Sequence, residues 1–281
     1  VLAFGSAERR DLPWRRTREP WAILVSEVML QQTQVARVVG PYERFLARFP
    51  DPQTAAAAGA AELVRAWTGL GYNRRAVALH RCAAQLVERH GGAVPDDADA
   101  LRALPGVGEY TARAVLTFAF EEDVGVVETN VARVLARAVV GAPLKRAAAQ
   151  SLADRLVPEG RSWEFNQALF DVGALYCRSR RPECGRCPLR RQCRWARAGF
   201  PEPDPAVGSA GVGRPQSAFA GSNRQGRGRL VAALRTGPLR AGAVPAAAGW
   251  PDDPARVAEV VAGLLADGLA VRGADGTLEL A

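Results

Sequence analysis

The chain has 281 residues, 48% of them apolar, and a formal net charge of +8, enough for one large domain or two modest ones with real cores. No apolar run approaches the ~20 residues that cross a bilayer, and the N-terminus lacks the charged, apolar and small-residue order of a secretory signal, so a cytoplasmic protein with no membrane partner is expected. With one lysine, Lys145, and two histidines, His80 and His90, the composition argues against a His-based triad, a multi-histidine metal site, a Walker-type phosphate loop and most Schiff-base chemistry.

The charge is unevenly placed. Residues 201–281 hold eight Arg and eight acids, while residues 161–200 alone hold nine Arg against three acids. A basic face of that density suits a polyanion, whose phosphates release counterions when neutralised. A solvated Arg-rich surface is the plainer alternative. The chain opens at Val1, which leaves an alternative start or a clipped N-terminus open.

In chain order, residues 1–20 form an N-terminal segment. Residues 21–200 read as mostly helical, with Ala- and Leu-rich stretches broken at Gly69 to Gly71, Gly91-Gly92, Pro105-Gly106 and Gly141 to Pro143. Trp21-Ala-Ile-Leu-Val-Ser-Glu-Val-Met-Leu30 is apolar nearly all round except for Glu27. A carboxylate there is costly unless paired or protonated, and burial favours the protonated form that a general acid needs. A structural Glu bonded to backbone is the alternative.

Leu104-Pro-Gly-Val-Gly-Glu-Tyr-Thr-Ala112 resembles the helix-hairpin-helix motif. Gly106 and Gly108 would let the backbone approach a phosphate, and the amides at the following helix N-terminus would face it, with Val107 between them and no base read. An ordinary Pro-Gly turn is the alternative. Downstream, Val126-Val-Glu-Thr-Asn-Val131 sets a second carboxylate, Glu128, between apolar residues, with Asn130 placed to orient it or a water.

Cys177, Cys184, Cys187 and Cys193 fall within 17 residues as C-x6-C-x2-C-x5-C. In a cytoplasmic chain this favours metal over disulfides, and with a single C-x2-C pair it favours a [4Fe-4S] cluster over structural zinc. Arg178, Arg180 and Arg181 sit between the first two thiols, where a rigid cluster would project them outward as a phosphate clamp. Cys82 reads as a core residue.

From Phe200 the composition turns to Pro, Gly and Ser, and residues 201–228 are expected to be an exposed linker. In residues 229–281, Val257, Val260, Val261, Leu264 and Leu265 share one helical face that should stop near Gly268. Residues 269–272 and 277–280 then read as a hairpin, so the tail resembles a winged-helix-like α+β module.

Together, L-P-G-V-G-x-Y-T-A, the downstream carboxylate and the cysteine loop resemble the helix-hairpin-helix DNA glycosylase superfamily over about residues 8 to 200. Leu12-Pro-Trp-Arg15, Ser26-Glu-Val-Met-Leu-Gln-Gln-Thr33, Trp67-Thr-Gly-Leu-Gly-Tyr72 and Phe165-Asn-Gln167 are similar to the MutY-type adenine DNA glycosylases. The resemblance implies an all-α, two-lobed fold, with a helical domain over 21–131 and an iron-sulfur lobe over 132–200. It implies a monomeric enzyme of base-excision repair that hydrolyses adenine from duplex DNA opposite 8-oxoguanine or guanine. Glu27 would protonate the base, and Glu128, beside Tyr110 and Asn130, would stabilise the cationic sugar. Leu12, Trp14, Arg15 and Gln167 would line the base pocket, and Gln32, Thr33, Leu70 and Tyr72 would form the wedge that fills the stack and touches the opposite base.

Endonuclease III-type relatives carry a catalytic lysine where this chain has Tyr110, which implies glycosylase action without strand cleavage. Two departures stand out. The family places Asp at position 128, and an extra methylene there could cost on the order of 100-fold in rate. Members also usually carry a NUDIX-like C-terminal domain, for which the tail is too short, so lesion selectivity should rest on the wedge. Rival readings are a thymine or uracil mismatch glycosylase on the same scaffold, a lesion binder that has lost catalysis, and a winged-helix regulator.

Overall fold

In a computed structural model, residues 1–212 and 217–281 are described. Residues 213–216 of the expected linker lie outside the described residues. The helices of the first half are α1 (Leu2–Glu8), α2 (Pro20–Leu30), α3 (Val35–Arg48), α4 (Pro52–Ala58), α5 (Ala60–Ala66), α6 (Arg74–His90), α7 (Ala98–Arg102) and α8 (Glu109–Ala119). There follow α9 (Thr129–Val134), α10 (Arg146–Leu156), α11 (Ser162–Leu175), α12 (Arg194–Arg197), α13 (Asn223–Thr236), α14 (Val244–Ala248), α15 (Pro254–Ala266) and the strands β1 (Ala270–Arg272) and β2 (Leu278–Leu280). No helix among the described residues is long and apolar enough to cross a membrane.

These elements form two compact units. One comprises Val1–Ile23, Asp96–Asp99 and 108–212; the other comprises Leu24–Pro95, Ala100–Val107 and 217–281. The expected helical segment 21–131 is shared between them.

In the first unit, Phe4, Val131, Val134, Leu135, Phe165, Leu169 and Val172 build one apolar cluster where α1, α9 and α11 meet. The helices approach closely at two glycines. A methyl added to Gly5 would stand 2.8 Å from the Ala168 Cβ, and one added to Gly173 would stand 2.6 Å from the Asn130 Cβ. Helix α9 runs on as a π-helical turn, Leu135–Val140, which ends where Gly141 takes the left-handed conformation at φ 75°.

The reading of 201–228 as an exposed linker is corrected for its first part. Ala206 is fully buried, the Ala210 amide donates to the Leu144 carbonyl at 2.9 Å, and Asp204 pairs with the buried Arg137. A side chain at Gly211 would collide with the Arg133 Cα at 2.6 Å, so glycine serves here as the residue that allows contact with a helix backbone.

In the second unit, Val38, Tyr42 and Phe45 form the buried stripe of α3, and the Phe45 ring meets Trp67 edge-on at 5.9 Å. Helix α6 packs against α4 and α5 and buries Cys82, whose thiol pKa burial pushes up to about 12, as suits a core residue. The tail follows its sequence reading. Val257, Val260, Val261 and Leu264 of α15 are buried, Leu265 is half-buried, and β1 pairs antiparallel with β2 in the register Val271↔Glu279. Leu239 bridges Leu278 to extend this small sheet.

The α1–α11 contact has no slack for a β-branched side chain. Gly5→Val should lower the stability of the chain by about 1–3 kcal/mol, read as a reduced urea midpoint with an unchanged slope.

Candidate active site and nucleic-acid interface

The second unit carries the expected wedge. Gln32 and Tyr72 both sit at positive φ, 55° and 44°, although neither is glycine, a backbone cost of the kind that persists where surroundings over-determine the conformation. What determines it is Arg75, which the sequence reading missed. Its guanidinium is buried and donates to the carbonyls of Val28, Met29 and Gln31 at 2.8, 2.9 and 2.6 Å. It also reaches the Thr33 hydroxyl at 3.0 Å and the carbonyls of Leu70 and Gly71 at 3.3 and 3.1 Å. Burial pushes the Arg75 pKa down to about 10, still charged at neutral pH.

One side chain therefore joins the end of α2 to the Trp67–Asn73 loop, and four of the expected wedge residues are brought together. They are not equivalent. Gln32 is exposed and Thr33 and Tyr72 half-buried, whereas Leu70 is 2% exposed and supports the loop from the core. Glu27, on α2 in the same unit, is 3% exposed among Leu24, Val28 and Met29.

The hairpin turn is built as its sequence suggested. Gly106 has φ 80°, and a Cβ there would meet Ala78 at 2.9 Å; Val107 is buried. Gly108 precedes α8 with no capping side chain and with open space at its Cβ position. The helix N-terminus is thus approachable by an anion. Tyr110 lies half-buried in the first turn of α8.

In the first unit, Glu128 caps α9. Its Oε1 accepts from the Val131 amide at 3.1 Å, and its Oε2 accepts from Thr129 Oγ1 at 3.1 Å and Asn130 Nδ2 at 3.0 Å. The carboxylate is folded back on its own helix N-terminus. Asn130 in turn accepts from Arg133 at 2.6 Å. Arg133, unrecognised in the sequence, uses its remaining donors on the carbonyls of Thr129, Gly211, Gly173 and Cys177. Desolvation lowers its pKa, with Cys177 and Glu128 acting against that.

Leu12, Trp14, Arg15 and Gln167 are all buried. Arg15 forms a two-pronged pair with Asp171 at 2.7 and 3.0 Å, and Arg10 joins at 2.6 Å. The buried Arg15 Nε has no partner among the described residues, while the terminal nitrogens are engaged by Asp171 and the Arg10 carbonyl. Burial raises the Asp171 pKa, but the hydrogen bonds and charges of Arg15 and Arg10 outweigh it and hold the group below 3.8.

Cys177, Cys184, Cys187 and Cys193 line one cavity together with Val134, Arg137 and Trp195, and no cysteine is in a disulfide. The Arg137 guanidinium, 1% exposed, points Nη1 at Cys177 Sγ at 3.5 Å and at the Arg178 carbonyl at 2.7 Å. Desolvation would lower the Arg137 pKa, yet Asp204 and Cys177 together leave it raised. The loop after Cys177 is closed by the Glu183 amide donating to the Tyr176 carbonyl at 2.8 Å. Arg178, Arg180 and Arg181 are exposed on it, with Arg178 lying 3.5 Å from Glu183.

One signal could have found Arg133 and Arg137. They are the charged residues in the otherwise apolar run Val131 to Val140, the same kind of interruption that singled out Glu27.

Residues 25–158 match the family model described as HhH-GPD superfamily base excision DNA repair protein. The chain is 44% identical, over its whole length and 94% of the relative's, to an adenine DNA glycosylase of Mycolicibacterium smegmatis. The chain belongs to the HhH-GPD superfamily, in its adenine DNA glycosylase branch. Among solved structures, a thermostable thymine-DNA glycosylase is similar with TM-score 0.65 and 32% identity, covering 70% of this chain and 93% of that one. An endonuclease III in a trapped covalent complex with DNA is similar with TM-score 0.60 and 25% identity, covering 71% and 94%.

Two outcomes test this geometry. Asp171→Asn leaves Arg15 buried without its counter-charge and should cost about 3–5 kcal/mol. Because the Asp171 pKa is depressed in the folded chain, its contribution is complete above the ordinary value of 3.8 and is lost as pH falls through the native value. Urea midpoints of wild type and Asp171→Asn should therefore differ most near neutrality and converge in acid.

Proposed function

We propose that the chain hydrolyses the N-glycosidic bond of adenine mispaired with 8-oxoguanine or guanine in duplex DNA, acting as a monomer in the cytoplasm. The carrying observation is the pair of carboxylates in contrasting surroundings: Glu27 in an apolar helix and Glu128 fixed by three donors, within a chain similar end to end to an adenine DNA glycosylase. That full-length similarity favours adenine over the thymine or uracil alternative.

Each carboxylate has its own part in the reaction, the base being flipped at a cost that is least in a mispair. Glu27 donates a proton to a ring nitrogen of adenine as the sugar C1′–N9 bond breaks and its electron pair leaves with the base. Glu128 stabilises the positive charge left on the sugar, much as paired carboxylates do in glycoside hydrolysis. Water adds to C1′ and passes a proton to solvent, which in turn restores the proton that Glu27 gave up. Tyr110 stands where lysine chemistry would otherwise open the strand. Leu12, Trp14, Arg15 and Gln167 would enclose the base. Gln32, Thr33 and Tyr72 would meet the opposite base, and the Gly106–Gly108 hairpin and Arg178, Arg180 and Arg181 would hold phosphates.

Cys177, Cys184, Cys187 and Cys193 would hold a [4Fe-4S] cluster. The donor set fits: four free thiols line one cavity, and a compact loop with a single C-x2-C pair suits a cluster better than structural zinc. Bound there, the group supplies a rigid staple for the arginine loop.

Purified protein should contain iron and acid-labile sulfide in equal amounts; stoichiometric zinc instead would defeat the cluster assignment. With a duplex carrying A opposite 8-oxoguanine, adenine should be released and the strand should break only after alkali. Glu27→Gln should slow release by about 10²–10⁴-fold. Glu128→Asp should stay within about tenfold of wild type, because the cap already folds the longer side chain back; a gain near 100-fold would mean that the extra methylene is uncompensated.

A further inference from the structure

Arg235 stands near the end of α13, the helix that opens the C-terminal module, and its guanidinium leaves that module altogether. Its Nε donates to the Val64 carbonyl of α5 at 3.0 Å, and its Nη2 donates to the Asn73 side-chain oxygen at 2.9 Å. Strand β2 of the same module packs on α5. Asn73 is the residue at which α6 begins, directly after Gly71 at φ 69° and Tyr72 at φ 44°.

Desolvation lowers the Arg235 pKa, and among the described residues no carboxylate pairs with it. Desolvating a cation for two neutral acceptors is unfavourable unless those bonds fix something of value. What they fix is one end of the Trp67–Asn73 loop. Arg75 holds the inner side of that loop through the Leu70 and Gly71 carbonyls, and the Trp67 indole donates to the Gly71 carbonyl at 3.2 Å. Arg235 adds the outer anchor. The positive φ at Tyr72 is thus held between two arginines, one from α6 and one from the tail.

We propose that Arg235 is a positioning residue for the wedge, and that the C-terminal module serves as a buttress setting the conformation of Tyr72 and hence the discrimination between 8-oxoguanine and guanine opposite adenine. The inference rests on the wedge role proposed above for Tyr72. It gives the module, which from Asn223 on carries seven Arg against six acids and keeps Arg256 stacked on Trp250 at 4.0 Å, a task other than binding DNA itself.

The test uses the full chain with Arg235→Met, which keeps the apolar stem but no donor, Arg235→Lys, which can restore one bond, and Asn73→Ala, which removes the acceptor without touching the module. Amide hydrogen exchange of the free protein comes first. Residues 67–74 should exchange about tenfold faster in Arg235→Met and Asn73→Ala, with residues 76–86 of α6 unchanged and Arg235→Lys intermediate. Unchanged or uniformly faster exchange would remove the buttress.

Single-turnover adenine release then reads the consequence. The preference for A:8-oxoguanine over A:G should fall at least about threefold in both variants, with partial recovery in Arg235→Lys. Faster exchange with an unaltered preference would overturn the link to base reading. Should the wild type release no adenine from either duplex, the activity assignment fails and this link with it, while the exchange result still decides whether the module holds the loop.

Discussion

The first unit depends on one saturated guanidinium. Arg133 directs its donors to Thr129, Asn130, Gly173, Cys177 and Gly211, which lie in four stretches of chain: the start of α9, the end of α11, the cysteine loop and the segment after it. Every planar N–H has an acceptor, the condition under which a buried cation is tolerated. A lysine could supply three donors at most and no fork. The near absence of lysine from this chain therefore accords with its architecture, in which Arg15, Arg75, Arg133 and Arg137 are all buried.

Each of these arginines answers a local shortage. Helix ends and tight loops leave carbonyls without partners, and among packed helices no neighbouring strand can donate to them. Arg75 gathers such carbonyls at the end of α2, Arg137 meets the one at Arg178 beside the cysteine cavity, and Arg15 is balanced by a fully buried Asp171. The same fields shape the chemistry nearby. Through Asn130, Arg133 is two hydrogen bonds from the Glu128 carboxylate, so the loop that begins at Cys177 and the acid at 128 share a common support.

Much of this was legible in the sequence, and what was not has a physical reason. The cysteine spacing, the Pro-Gly-Val-Gly turn, the α15 stripe and the hairpin are local patterns, set by covalent geometry and short-range periodicity, and the structure reproduces them. The isolated Glu27 was conspicuous because charge inside an apolar run is rare. Buried arginines are harder to see, since an Arg on a helix ordinarily marks a solvated face, and only the acceptors, separated by up to 78 residues for Arg133 and Gly211, reveal otherwise. Leu70 lies in a wedge motif yet belongs to the core, because motif spacing says nothing about which way a side chain turns.

The stretch from Pro201 to Gly211 has the composition of a tether and the behaviour of an interior wall. Its Pro201 carbonyl receives the Trp195 indole at 2.9 Å, its Asp204 neutralises Arg137, and its Gly211 lies against the backbone of α9. A protein cut back to Phe200, where the familiar motifs stop, would uncover two buried cations at once. The interior of this lobe is completed as far on as Gly211, a boundary that the motifs alone would place too early.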